Sequence, residues 1–180
     1  MQHFARYREG FLVSDQEITI QSDTKGRIGR TFLCVIDESD EMAAALRFAC
    51  TRASNTNGRV ALLNVIQPAE FQHWMAVGQR MREEAMEEAE AFLQVVASVV
   101  EKRTGYSPKC YIREGKIREE VIKLIDEEAD ISQLILGAAS GTNGPGPLIT
   151  YLVEKMTGQL RVPVTIVPGC LTDDQVDKIC

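Results

Sequence analysis

Two places in this sequence hold residues whose types and spacing suit chemistry. One is Asp37, followed at once by Glu38, Ser39 and Asp40; the other is the stretch Gly137 to Pro147, with Gly137, Gly141, Gly144 and Gly146 among Ser140, Thr142 and Asn143. An acidic residue at a strand end either accepts hydrogen bonds from a ligand or starts the next helix, and here Ser39 or Asp40 can cap that helix. A glycine-rich loop suits anions because its backbone N–H groups can converge on phosphate oxygens where a helix begins. Two features oppose that chemistry. Pro145 and Pro147 each delete an N–H donor, and no Lys or Arg lies between Gly137 and Lys155.

Catalytic signatures are missing. There is no G-x-G-x-x-G after the first strand, no GKS or GKT phosphate loop and no G-x-S-x-G elbow. Ser140 next to Gly141 has no histidine placed by the sequence to activate it. Only His3 and His73 are present, neither near a cysteine, so no metal site is expected. Cys34, Cys50, Cys110, Cys170 and Cys180 are widely spaced and odd in number, which reads as buried or incidental thiols. The chain is not expected to be an enzyme, with slow ATP hydrolysis the one form left open.

The elements that must position these residues follow from the hydropathy pattern. TFLCVI (31–36) and RVALLNVI (59–66) are continuous apolar runs of the kind that strands buried on both faces need. Between them lies the Ala-rich helix MAAALRFACTRA. A long amphipathic helix from about Gln79 to Thr104 precedes PKCYIR, a less apolar strand suited to a sheet edge. The helix KIREEVIKLIDEEA, a strand over Gln133 to Leu136, a helix over about Leu148 to Leu160 and the strand PVTIVP complete the series. This alternation predicts an open, doubly wound α/β sandwich, with ligands held beyond the carboxyl ends of its strands.

Composition narrows the partners. The 180 residues carry 20 Lys+Arg against 26 Asp+Glu, a net charge of -6, with no basic run of the sort that phosphate backbones attract. Nucleic acid is therefore disfavoured. No apolar stretch is long enough to span a membrane as a helix, and the charged start MQHFARYREG does not read as a signal peptide, so a cytoplasmic protein is expected.

Taken in order, VIDES before the Ala-rich helix, LLNVI, the Gly115 turn, LILG and RVPVTIVP resemble the universal stress protein family over Thr31 to Pro168. The resemblance implies a flavodoxin-like three-layer α/β/α sandwich with a five-stranded parallel sheet in the order 3-2-1-4-5. It also implies a homodimer through the terminal strand, Val164 to Val167. One branch of the family binds ATP through an Asp after strand one, backbone at the end of strand two and a loop of the form G-x2-G-x9-G-[ST]. Asp37, Val65 and Gly137 match the first three of those positions. Counting on, Ser140 and Thr150 stand where the second and third glycines belong, and Tyr151 where a Ser or Thr belongs. A residue other than glycine forced into a left-handed backbone loses on the order of 1–2 kcal/mol. Gly141-Thr-Asn-Gly144 offers a displaced G-x2-G, although the second half of the motif is then missing.

Two readings stay open. Either the cleft binds ATP or AMP, with Asp37, Val65, Gly137, Ser140, Gly141 and Thr150 as its residues, or the chain is a dimeric interaction protein of the same fold that binds no nucleotide. Residues 1–30 read as an N-terminal arm, whose FLVS and EITIQS segments suit a short hairpin or the cover of a sheet edge. The tail, residues 169–180, is expected to be exposed, with Cys180 free to form an intermolecular disulfide.

Overall fold

In the computed structural model, which describes residues 29–67, 75–141, 144–156 and 158–180, the apolar runs pair side by side. The strands are β1 (Thr31–Val35), β2 (Arg59–Ile66), β3 (Lys109–Glu114), β4 (Ile131–Ala138) and β5 (Val164–Pro168). All neighbours are parallel and the order is β3-β2-β1-β4-β5. In register, Cys34 of β1 lies between Leu62 of β2 and Ile135 of β4, so the most apolar strands occupy the centre. The mixed pattern of PKCYIR falls on the β3 edge, as its composition requires.

Side chains alternate across the sheet and build one core on each face. Phe32, Cys34 and Ile36 point toward α1 (Met42–Thr56) and α2 (Met75–Thr104), where Ala45, Ala49, Phe92 and Val96 meet them. Leu33 and Val35 point the other way, toward α3 (Ile117–Glu127) and α4 (Pro147–Tyr151), against Val121, Leu124, Ile125 and Ile149. Burial pushes the Cys50 thiol up to about 11 and raises that of Cys34 further, which fits inert core residues. Cys110 and Cys170 are exposed.

Several element ends differ from the sequence reading. The α2 helix begins at Met75 rather than near Gln79. The β4 strand runs from Ile131 to Ala138, so Gly137 is a paired strand residue opposite Val167 and the loop starts only after Ala138. Pro147 at the first position starts α4, which passes after Tyr151 into a π-helical turn over Leu152–Met156 and so stops short of Leu160. The end of α3 is closed from a distance: Arg161 donates to the carbonyls of Ile125, Glu128, Ala129 and Ile131.

The largest correction concerns the tail. Residues 173–179 form a fifth helix, α5 (Asp173–Ile179), capped by a reciprocal pair in which Gln175 N–H donates to Thr172 Oγ1 and Thr172 N–H donates to Gln175 Oε1 at 2.8 Å. Val176 is fully buried in the core beneath α1. Arg47 on α1 grips Asp177 through Nε at 2.8 Å and Asp173 through Nη1. The acidic tail is thus docked, because two of its carboxylates, Asp173 and Asp177, bond to Arg47 and its one valine faces the core. Cys180 follows it, half-buried, with Sγ 3.9 Å from the Phe48 carbonyl oxygen. The arm over residues 1–28 lies outside the described residues, as does the connector 68–74.

Candidate functional site

At the carboxyl ends of β1 and β4 a cavity of about 220 Å³ opens between α1, α3 and α4. Its position follows from the topology. Strands β2 and β4 leave β1 in opposite directions, and their crossover connections part at that point. Short hydrogen bonds hold the rim: Ile36 N–H donates to Leu63 O at 2.9 Å, Asn64 Nδ2 to Ile36 O at 3.2 Å and Gly115 N–H to Ile66 O at 3.0 Å.

The walls are apolar. Val35 and Leu136 come from the strand ends, Ile117 from the start of α3, and Leu148 and Ile149 from α4. Polar groups sit at the mouth, namely Asp37, Ser39, Glu41 and Gln67. No Lys or Arg lines the cavity among the described residues. This composition suits a flat, largely apolar group with a few hydrogen-bond donors at its edge, and it offers a multiply charged anion no counter-charge.

Asp37 is released from the capping role that its position allows. The residue before α1 is Glu41, whose side chain makes no cap hydrogen bond, so the cap position falls on neither Ser39 nor Asp40. Instead, Asp37 Oδ1 accepts the Ser39 N–H at 3.0 Å and the Ser39 hydroxyl, a local turn that fixes the carboxylate at the cavity mouth. Its other oxygen accepts nothing among the described residues and is available to a ligand donor.

Gly137 on β4 lines the same cavity as Asp37, and its lack of a side chain has a packing cause. A Cβ there would stand 2.7 Å from the carbonyl carbon of Glu41, and one on Gly169 would stand 2.6 Å from the Glu41 Cβ. The start of α1 is wedged against β4 and the end of β5, which brings Glu41 to the mouth.

The remaining expected residues lie beside the cavity and do not line it. Val65 is half-buried near the end of β2 and packs into the core under α3. Ser140 and Gly141 are exposed beyond β4. Thr150 points its hydroxyl back along α4, donating to Gly146 O at 3.0 Å. The loop closes on itself where Ala139 N–H donates to Pro145 O at 3.3 Å, and positive φ angles fall at Gly144 (86°) and Gly146 (111°). Sequence spacing passed over Glu41, Gln67, Ile117 and Leu148. Glu41 and Gln67 lie a few residues beyond predicted strand ends, a signal that was available, whereas Ile117 and Leu148 arrive through crossover packing that no local spacing encodes.

Among the described residues no cluster of three or more His, Cys, Asp or Glu side chains is placed to hold a metal ion, and no helix is long and apolar enough to cross a membrane.

A sandwich with this strand order and a cleft after strands one and four defines a class of α/β proteins that hold ligands at a topological switch point. The model of the universal stress protein family matches residues 29–168, and the chain belongs to that family. Solved structures agree on the fold. The chain is similar to universal stress protein UspA from Lactobacillus plantarum, at 20% identity over 79% of this chain and 99% of that one, with a TM-score of 0.64. It is also similar to the universal stress protein from Archaeoglobus fulgidus in complex with dAMP, at 17% identity over 78% and 99% of the two chains, with a TM-score of 0.57. A universal stress protein family member from Arabidopsis thaliana with AMP bound matches at 12% identity over 77% and 91%, with a TM-score of 0.52. Comparison with curated proteins by sequence finds no match.

Proposed function

We propose that this chain is a non-catalytic stress-response protein whose cavity binds an adenine nucleotide, AMP or ATP. The observation that carries the reading is the Asp37 carboxylate, oriented by Ser39 at the mouth of an apolar-walled cavity at the switch point, which Gly137 also lines. Adenine is flat and fits between the aliphatic walls. Asp37 accepts a hydrogen bond from a ribose hydroxyl or the base amino group, and Gln67 supplies a second polar contact. Val65, Ser140, Gly141 and Thr150 belong to the surroundings of this site. The structural relatives with dAMP and AMP support the ligand class. Equilibrium binding of labelled nucleotide tests the site: Asp37→Ala should weaken it by about tenfold or more, a loss of roughly 1.4 kcal/mol or greater. Unchanged affinity would remove Asp37 from the site.

A second reading draws on the mouth carboxylates Asp37 and Glu41, which repel anions. On this reading the chain works as a dimeric interaction protein with no nucleotide. Either way we propose a homodimer through β5, whose outer edge is unpaired among the described residues and whose Ile166 is 39% exposed in an apolar groove of about 300 Å³ that includes Val153 and Val164.

A further inference from the structure

One cation follows the cavity lining in sequence without lining it itself. Arg118 follows Ile117 at the start of α3, and its guanidinium lies over the ring of Tyr151 at 5.0 Å from the centroid. Tyr151 stands one turn beyond Leu148 on α4, so the pair bridges the two helices that contribute Ile117 and Leu148 to the wall. Neighbouring basic residues are otherwise engaged: Lys116 pairs with Glu119 at 3.4 Å and Arg113 with Glu127 at 2.6 Å. Arg118 has no carboxylate partner among the described residues. A guanidinium held on an aromatic face keeps its N–H fork free, and that fork matches a phosphate in two parallel hydrogen bonds.

We infer that Arg118, positioned by Tyr151, receives the phosphate of a nucleoside monophosphate whose base and sugar occupy the cavity; this rests on the adenine-nucleotide reading above. Tyr151 occupies the motif position of a small hydroxyl residue, and the exchange replaces backbone donors by one side-chain fork. A single fork serves one phosphate. The prolines and mouth carboxylates leave further phosphates without donors, so the site favours AMP over ATP.

The test compares adenosine, AMP and ATP by equilibrium titration of the whole chain. Wild type should bind AMP about tenfold more tightly than adenosine, and ATP no better than AMP. Arg118→Ala should abolish the advantage of AMP while leaving adenosine within about twofold, so adenosine binding also reports an intact fold. Arg118→Lys should restore part of it, and Tyr151→Phe should retain it. Lys155→Ala, on the exposed turn after α4, should change nothing. The inference is overturned if wild type binds adenosine and AMP equally, or if Arg118→Ala leaves AMP affinity intact or weakens both ligands alike; in these cases the cavity reading stands. Failure of both adenosine and AMP to bind the wild type would remove the cavity reading and this inference together.

Discussion

Gly137 has two explanations at the scale of a residue, and they make different demands. As the first glycine of a phosphate loop it needs backbone freedom, yet here it is an ordinary paired residue of β4 opposite Val167. What it requires is space, because a Cβ would strike the Glu41 backbone, which cannot swing aside as a flexible side chain does. Gly137→Ala should therefore destabilise the fold by roughly 1–3 kcal/mol, the ordinary cost of overpacking. A lowered urea midpoint with an unchanged slope would report this, and a midpoint equal to wild type would show that α1 can move away. A spacing motif does not distinguish these two uses of glycine. Asp37 was legible as a switch-point carboxylate because the strand before it is an unbroken apolar run. Its partner Ser39 has the residue type of a helix cap, and the structure turns it back toward the carboxylate instead. Arg118 and Tyr151 are far apart in sequence, so their pairing is set wholly by the packing of α3 on α4.

The element most changed by the structure is α5. Its local signals were in the sequence, a Thr172 and Gln175 capping box and a single valine, Val176, but a seven-residue acidic helix has too little apolar surface to announce a docking face. The three central apolar runs were legible for the opposite reason, since strands buried on both faces cannot alternate. Docking of α5 depends on charge. The hydrogen bond from Arg47 holds the Asp177 carboxyl below its ordinary value, so the stabilisation is fully present above the unfolded value of about 3.8 and is lost as pH falls through the lower folded value. Amide hydrogen exchange over residues 173–179 should accelerate on that acid descent. Arg47→Ala should bring faster exchange in α5 already at neutral pH, and an α5 as protected as in wild type would show that Val176 and the capping box suffice to hold it.

At the scale of the whole molecule, the sandwich has two edges of different character, neither paired with a further strand among the described residues. The β3 edge is polar, with Lys109 and Arg113 tied into ion pairs, while the β5 edge shows Ile166 beside an apolar groove. Pairing of two copies along β5 is the economical way to cover that surface. Ile166→Lys should convert a dimer to a folded monomer in light scattering after size exclusion, and an unshifted mass would place the interface elsewhere. The net charge of -6 bears on the ligand too. With carboxylates at the cavity mouth and no Lys or Arg among the described lining residues, the proposed ligand is a weakly charged nucleotide rather than a triphosphate. Calorimetric titration of AMP into the wild-type chain tests the cavity reading most directly. Saturable binding with Kd below about 100 μM is the predicted result, and no detectable binding at about 1 mM would contradict it.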